Sequence, residues 1–409
     1  MKNPSNVHEN FRIATMRLLD YCESNEWAGY DPYDALNSEL FTVFPVLASR
    51  IPQLVLTQAL KRSPVNLRPL LGIPKTQNPK GLGLFLSASV KLSKVGFDRA
   101  RLTETMIERL RALRSQGTSY WCWGYSFPWQ TRTIVVPLGA PNLVCTSFVA
   151  NALLDAYDHC GDSQCLEMAS SAAEYIIDEL YWTDGSETGF SYPRASLHSR
   201  VHNANLLAAA LLCRVFANTH DERFLDCALH VARYSANKQR PDGSWPYGET
   251  SSQQWIDNFH TGYNLCALQE ISQYTPTTEF DGVLQRGYEF YRRHFFREDG
   301  SVRYFHDRDY PIDIHCVAQS IITLLKFQET DSGNLPLAHS VLQWALTHLW
   351  SDRGFFYYRM LRSGTNRISY MRWSQAWMLL AMAMLLEASE SNRFIESTHQ
   401  LAQAGNAHD

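Results

Sequence analysis

The hydrophobic positions of this 409-residue chain fall into a repeating unit of about 57 residues. In each unit a polar residue precedes a long run of apolar and small residues, which is typical of a helix buried on most sides. A short polar turn follows, and then a second run with apolar residues at helical spacing. Four of the long runs start at His202, His260, His315 and Arg372, which are 58, 55 and 57 residues apart. A fixed spacing in this range indicates stacked copies of one supersecondary unit.

This pattern predicts an all-α chain of six helical hairpins that close into an (α/α)6 toroid. The inner helices are predicted at about residues 82–92, 146–157, 202–216, 260–272, 315–327 and 372–387. The outer helices are predicted at about residues 98–114, 164–180, 222–237, 281–295 and 337–349, and residues 9–22 supply the last one. Phe11, Ala14, Leu18 and Leu19 lie at helical spacing in that closing helix.

A ring of repeats can exceed the usual domain length, so we expect residues 1–409 to form a single domain. Residues 29–80 break the repeat and are rich in Pro and Leu. We expect them to form an irregular insertion at the rim of the ring or a dimer contact.

The loops that return from outer to inner helices are long, at roughly 20 residues, which in a compact domain usually indicates function. They carry a glycine followed by aromatic residues, as in Gly189–Tyr192, Gly243–Tyr247 and Gly354–Tyr358. All of these loops end where an inner helix begins. The polar helix starts and the aromatic loops should therefore meet at one mouth of the ring.

Composition narrows the classes of function. The net charge is −4 and basic runs are absent, which argues against nucleic acid as a partner. Nine scattered cysteines without a CxxC pair favour reduced thiols and a cytoplasmic location. The N-terminus has no apolar signal core, and the sequence contains no uncharged apolar run of about 18 residues, so we expect no transmembrane segment. Nothing in the sequence calls for a cofactor.

The candidate catalytic residues belong to the mouth and suit acid–base chemistry. Three histidines share one position of the repeat, and two have an acidic residue two or three positions earlier, which is close enough to tune an imidazole. The catalytic candidates are His260, His202, His315, Asp257, Asp313 and Tyr263. His260 is the strongest, because it lies in the densest polar cluster.

The candidate binding residues combine aromatic rings with Arg and Asn, which suits saccharides: rings stack on sugar faces and polar groups pair with hydroxyls. They are Trp123, Trp129, Arg132, Tyr192, Arg194, Asn203, Trp245, Tyr247, Tyr304, Arg372 and Trp373. A structural role is the alternative, since aromatic residues also fill gaps between helix pairs. A metal site is disfavoured, because equivalent atoms on adjacent helices lie about 8–10 Å apart, too far for one tetrahedral ion.

The predicted architecture resembles the six-hairpin toroid superfamily. Its glycan-active members include polysaccharide lyases, the C-terminal part of glucuronyl C5-epimerases, glucuronyl hydrolases and sugar 2-epimerases. Residues Gln239–Trp245 look like the glutamine–tryptophan repeat of terpenoid cyclases, but the Asp-x-Asp-Asp motif of those enzymes is absent. Residues Trp121–Gly124 fit the Trp-Cys-x-Gly of lanthipeptide cyclases, but their Cys-His-Gly partner is absent.

The resemblance implies a carbohydrate-active enzyme acting on an acidic polysaccharide or its precursor in surface-polysaccharide metabolism. Lyase or uronyl epimerase chemistry ranks above glycoside hydrolysis, for which Asp257 and Asp313 would be the carboxyl pair. One alternative is a glycan-binding or scaffold subunit of a polysaccharide assembly system, associated peripherally with that complex. Another is an isoprenoid enzyme like the terpenoid cyclases. A homodimer is also open.

Overall fold

A computed structural model describes residues 4–97, 99, 101–131 and 134–405, with side chains from residue 8 to residue 392. The chain in these ranges is mainly helical. The helices are α1 (Pro4–Ser24), α2 (Leu40–Val43), α3 (Arg50–Arg62), α4 (Pro79–Lys94), α5 (Leu102–Ala112), α6 (Leu143–Cys160), α7 (Ser163–Tyr175), α8 (His202–Thr219), α9 (Glu222–Ala236), α10 (Asn258–Tyr274), α11 (Asp281–Phe295), α12 (Ile314–Lys326), α13 (Asn334–His348) and α14 (Trp377–Gly405). One π-helical turn, Ile176–Leu180, follows α7, and another, Met371–Ala376, precedes α14.

The predicted toroid is confirmed. The inner helices α4, α6, α8, α10, α12 and α14 contact one another in that order, and α14 contacts α4, which closes the ring. The outer helices α5, α7, α9, α11 and α13 each contact the inner helix that precedes them in the chain. Predicted and observed boundaries agree within five residues, except that α14 continues to Gly405 whereas its predicted end is residue 387. The agreement arises because the inner helices are almost wholly buried and their apolar runs are long.

The ring is completed from the N-terminus, as the sequence predicts. Helix α1 contacts α14, and its Phe11, Leu18 and Leu19 side chains are at most 1% exposed. The Arg12 guanidinium donates hydrogen bonds to Glu390 on α14 (2.7 Å) and to the Val95 carbonyl after α4 (3.1 Å). Helix α1 thus occupies the outer position between two hairpins that are far apart in sequence.

Short antiparallel strands form the return loops. They are β1 (Trp129–Gln130), β2 (Val135–Val136), β3 (Tyr181–Asp184), β4 (Glu187–Phe190), β5 (Ile312–Asp313), β6 (Trp350–Ser351), β7 (Phe355–Phe356), β8 (Arg359–Leu361) and β9 (Gly364–Asn366). β1 pairs with β2, β3 with β4 and β6 with β7, while β8 lies between β5 and β9. These hairpins stand at the end of the ring where the inner helices begin.

Several inner helices begin behind a short polar cap. Asn78, Asn142, Asp257 and Asp313 each accept a backbone N–H of the helix that follows, on α4, α6, α10 and α12. Such residues satisfy helix N–H groups that lack an intrahelical partner. The caps therefore fix where these helices start, and with them the positions of the side chains at the mouth.

The segment from residue 29 to residue 80 crosses the rim at this same end. It contains α2, α3 and the start of α4, and is tied down by two buried ion pairs. Arg68 contacts Asp34 (Nε–Oδ1, 2.6 Å), and Arg372 contacts Asp31 through two hydrogen bonds of 2.7 and 2.8 Å. The first pair links two parts of the segment to each other, and the second attaches the segment to the start of the last inner helix. Among the described helices, none has both the length and the apolar character needed to cross a membrane.

Candidate active site

A cavity of about 500 Å³ opens at the mouth of the ring. Eleven of the residues predicted from the sequence line it: Trp129, Tyr192, Asn203, Tyr247, Asp257, His260, Tyr263, Tyr304, His315, Arg372 and Trp373. Most of its wall is aromatic, and Tyr247 stacks on Trp255 with the ring centroids 4.5 Å apart. The cavity thus offers flat apolar faces with a few polar groups between them, an arrangement that suits a ligand such as a sugar.

Asp257 and His260 form a carboxylate–imidazole pair in the cavity wall. Asp257 caps α10, and its Oδ1 accepts the backbone N–H of His260 (2.9 Å). Its Oδ2 lies 2.7 Å from His260 Nδ1 and also accepts the indole N–H of Trp255 (3.0 Å). Asp257 is 2% exposed, whereas the His260 side chain is 20% exposed. The buried carboxylate therefore orients the imidazole and leaves Nε2 available to a ligand, as a general base requires.

His315 and Tyr263 form a second pair beside the first. His315 Nε2 lies 2.6 Å from the Tyr263 hydroxyl. The two pairs are neighbours, because the ring centroids of His260 and His315 lie 4.1 and 4.7 Å from that of Phe259. Burial, with Lys80 and Arg372 nearby, holds the pKa of His315 well below its usual value. Burial also raises the pKa of Tyr263 well above its usual value. Near neutral pH this pair is therefore an uncharged imidazole and an uncharged phenol.

Asp313 lies behind the cavity wall. It is fully buried, and its Oδ1 accepts the backbone N–H of His315 (3.0 Å) and the indole N–H of Trp373 (2.9 Å). Burial raises the pKa of this carboxyl group, and Arg359 Nε lies 3.6 Å from its Oδ2. Asp313 positions His315 and Trp373, but it does not line the cavity.

Arg372 lines the cavity with much of its charge already neutralised. Its Nε and one terminal nitrogen bind Asp31, and its guanidinium carbon lies 5.2 Å from the Tyr125 ring centroid. The sequence predicts Arg372 as a ligand-binding residue, and a free guanidinium can hold a carboxylate through two parallel N–H groups. In the structure a carboxylate from the rim segment occupies that bidentate position.

Three other predicted binding residues lie outside the cavity lining, and a fourth is not among the described residues. Trp123 is fully buried and donates its indole N–H to the Leu110 carbonyl (2.8 Å), and Trp245 is 2% exposed and donates to the Ser235 carbonyl (3.2 Å). Each fills the space between an inner and an outer helix. Arg194 is exposed on the loop before α8, outside the cavity lining, and Arg132 lies outside the described residues.

His202 is also absent from the cavity lining. It is fully buried, and neither ring nitrogen has a hydrogen-bond partner within the described residues. His202 is the first residue of α8, whereas His260 is the third residue of α10. A shift of two residues rotates a side chain by about 200° around the helix axis, so the two histidines start in nearly opposite directions. The next residue, Asn203, lines the cavity instead.

The buried His202 predicts a pH dependence of stability. Burial lowers its pKa to about 4, below the ordinary value of about 6.5 in an unfolded chain. The unfolded state therefore binds the proton first, and the free energy of unfolding should fall as pH decreases from about 6.5 to about 4. In His202→Leu we expect the free energy of unfolding to fall by about 1–3 kcal/mol less over this pH range than in the wild type. Denaturant unfolding at several pH values measures the difference. His230→Leu, on the exposed face of α9, is the control, and an unchanged slope in His202→Leu would contradict the prediction.

Lys80 is a cavity residue that the sequence analysis missed. Its side chain is buried, and Nζ lies 4.0 Å from the Phe148 ring centroid and 5.3 Å from that of Trp377. Nζ forms no hydrogen bond with the described part of the chain, and burial lowers the pKa of the amine well below its usual value. The sequence Asn78-Pro79 could have revealed it, because Asn at the N-cap and Pro at the first helical position mark a helix start. With the helix starting there, Lys80 takes the position that His315 has in α12.

The rim segment supplies further lining residues that the repeat pattern could not identify. Tyr33 and Lys61 line the cavity, and the Lys61 amine donates a hydrogen bond to the Tyr33 hydroxyl (2.7 Å). The return loop between α11 and α12 adds Phe305 and Arg308. Within the described residues, no three His, Cys, Asp or Glu side chains come together as ligands for a metal ion.

Comparison with known proteins relates this architecture to sugar-processing enzymes. No protein-family model matches the sequence, and no curated protein does. Among solved structures, the chain is similar to cellobiose 2-epimerase from Spirochaeta thermophila, with a TM-score of 0.58, 16% identity, and coverage of 78% of this chain and 87% of that one. It is similar to a family 76 α-mannanase from Bacteroides thetaiotaomicron, with a TM-score of 0.59, 12% identity, and coverage of 78% and 86%.

A D-mannose isomerase gives a TM-score of 0.57 at 12% identity, covering 76% of this chain and 87% of that one. At these identities the similarity shows a shared fold. The chain therefore has the (α/α)6 toroid fold of sugar epimerases, sugar isomerases and family 76 glycosidases.

Proposed function

We propose that this protein is a carbohydrate-active enzyme that transfers a proton at a carbon of an anionic saccharide, as an epimerase or a lyase does. The observation that carries the proposal is the Asp257–His260 pair beside the uncharged His315–Tyr263 pair in one aromatic cavity. The substrate that we propose is an acidic polysaccharide or its precursor, such as one used in surface-polysaccharide metabolism.

The two pairs supply a base and an acid. Asp257 holds His260 through Nδ1, so Nε2 can accept a proton from a substrate carbon. The Tyr263 phenol can donate its proton to the opposite face of that carbon or to a leaving oxygen, and His315 stabilises the phenolate by hydrogen bonding through Nε2. The ring centroids of His260 and Tyr263 are 6.0 Å apart. That distance places both groups beside one bound sugar.

The charges of the cavity favour an anionic ligand. Lys61, Lys80, Arg308 and Arg372 line it, and Asp257 is the only carboxylate among the described lining residues. Arg372 is paired with Asp31 and Arg308 with the exposed Asp307, so the two lysine amines are the cationic groups that remain for a ligand. The N-terminal ends of the inner helices also face the mouth and carry partial positive charge. Although burial disfavours the charged form of Lys80, a ligand carboxylate close to Nζ would favour it again. An acidic sugar therefore fits better than a neutral one.

The same geometry makes glycoside hydrolysis the weaker alternative. Hydrolysis requires two carboxyl groups facing the scissile bond. Asp313 was the expected partner of Asp257, but it lies behind the wall and contacts Trp373. Asp257 itself is engaged by His260 and Trp255.

The test incubates the protein with uronate-containing and matching neutral oligosaccharides in deuterated water. NMR detects exchange at a carbon, absorbance detects the unsaturated product of a lyase, and an end-group assay detects hydrolysis. We expect exchange or elimination with the anionic substrates and a loss of at least about tenfold in Asp257→Asn, because the neutral amide no longer stabilises a protonated His260.

The matched control is Asp162→Asn. Asp162 caps the outer helix α7 as Asp257 caps α10, and asparagine preserves an N-cap at either position. New reducing ends without exchange would replace the proposal with a hydrolase. Binding of the saccharides without any turnover would instead favour a glycan-binding or scaffold subunit.

A further inference from the structure

Exposed apolar side chains are concentrated on the rim segment. Of the fourteen large hydrophobic residues that are exposed in the described part of the chain, eight lie between residues 43 and 70. This group, called here the rim patch, consists of Val43, Phe44, Val46, Ile51, Val55, Val65, Leu67 and Leu70. Val46 and Leu70 are 81% and 84% exposed. Exposed apolar residues clustered in this way mark an interaction surface.

The rim patch is one continuous surface. The Ser38 hydroxyl donates a hydrogen bond to the Leu71 carbonyl (2.7 Å), which brings the loop carrying Leu67 and Leu70 next to the start of α2. Helix α3 contacts two 3-10 turns, Asp34–Asn37 and Pro45–Ala48, which lie on either side of α2 in the sequence. The hairpin β1–β2 adjoins the start of α3 through a hydrogen bond from Gln130 to the Arg50 carbonyl (3.1 Å), and adds exposed Val135.

From residue 40 onward, the charged side chains of the rim segment are all basic. The sequence contains no Asp or Glu between Glu39 and Asp98, yet residues 40–79 contain Arg50, Lys61, Arg62, Arg68 and Lys75. Arg68 is buried against Asp34, but Arg50 and Arg62 are exposed at the two ends of α3. Apolar side chains flanked by basic ones, without acidic ones, are typical of a surface that inserts into the headgroup region of an anionic membrane.

We infer that the rim patch docks on the surface of an anionic lipid bilayer, with α3 lying in the interface. A second copy of the chain is the less suitable occupant. A two-fold contact through this face would bring Arg50 and Arg62 of both copies together, and the segment offers no exposed carboxylate beyond Glu39 to compensate them. Anionic headgroups supply the missing negative charge. Because Tyr33 and Lys61 of the same segment line the cavity, docking turns the mouth toward the bilayer.

The test measures partition of the full chain onto two kinds of vesicle: phosphatidylcholine alone, and an equal mixture of phosphatidylcholine and phosphatidylglycerol. We expect the wild type to float with the anionic vesicles and to bind the neutral ones at least about tenfold more weakly. Two variants, F44S/V46S/I51S and R50E/R62E, should each lose about tenfold or more of the anionic binding. None of these residues lines the cavity.

Matched controls change the same residue types on the outer face of the ring. I13S/M16S alters the exposed apolar side chains of α1, and R223E/R293E reverses exposed charges on α9 and α11. Both should bind vesicles like the wild type, and thermal melting checks that every variant is folded. A folded wild type that stays off anionic vesicles, or equal binding by the rim variants, would overturn the inference. Self-association that the rim variants abolish, without vesicle binding, would assign the patch to a subunit interface. The assay requires no turnover, so its outcome is independent of the proposed catalysis.

Discussion

The His260→Gln variant is expected to fold like the wild type and to lose about 10²–10⁴ in rate on the saccharide that the enzyme turns over best. Glutamine keeps much of the size and hydrogen bonding of histidine, but it cannot accept and return a proton near neutral pH. Asp257 would still cap α10 through the backbone N–H of residue 260, so the start of the helix should be unchanged. The loss should therefore appear in kcat and in deuterium exchange at the substrate carbon, with KM less affected.

His230→Gln is the control for this experiment. His230 lies on the exposed face of the outer helix α9, where Nδ1 contacts the Tyr181 hydroxyl at 2.9 Å, and it is absent from the cavity lining. Its replacement should leave turnover unchanged. Full turnover in a folded His260→Gln protein would place the proton transfer on other groups, of which the Tyr263–His315 pair is the nearest.

The fold could be predicted because its main determinant is periodic. Each inner helix is buried between two inner neighbours and an outer partner, so apolar and small residues are required along its whole length, and that requirement recurs in every hairpin. The predicted start of α4, residue 82, lies three residues after the observed start at Pro79, because the prediction followed the apolar run alone. Pro79 and Lys80 interrupt the apolar run, although Asn78 and Pro79 together indicate the true start.

The site could be predicted where a helix start determines it, and less well where loops do. His260, His315 and Arg372 reach the cavity as the second or third residue of a helical segment, whereas His202, the first residue of α8, does not. In the return loops an aromatic residue can face either the cavity or the gap between helices, and the local sequence is similar in both cases. Tyr247 lines the cavity, whereas Trp245, two residues earlier, is held in the core by Ser235.

Long-range pairing was the least predictable feature. Asp31 and Arg372 are more than 300 residues apart, and no pattern in either segment indicates that they meet. The same pairing decides how Arg372 can act, because two of its donors are already bound by Asp31. An interpretation from the sequence treats every Arg at the mouth as a free cation, and only tertiary contacts can show which ones are free.

Removal of residues 1–22 is expected to give insoluble or molten protein, because these residues form most of the outer helix that closes the ring. Phe11, Leu18 and Leu19 are nearly fully buried, and burying one large apolar side chain contributes roughly 1.5–3 kcal/mol. Their combined loss is comparable with the whole stability of a typical domain, about 5–15 kcal/mol. The truncation would also expose the apolar faces of α13 and α14 that α1 covers, including the ring of His339, which lies 5.7 Å from that of Phe11.

A point variant separates this packing effect from any general effect of shortening the chain. Leu18→Ala should lower the free energy of unfolding by about 2–5 kcal/mol, since it leaves a cavity at a position with no exposed surface. Met16→Ala, on the same helix but 44% exposed, should change it by less than about 0.5 kcal/mol. Both values come from denaturant unfolding followed by circular dichroism. If the truncated chain unfolded cooperatively at the temperature of the wild type, or if the two alanine variants were equally stable, α1 would not be the element that closes the ring.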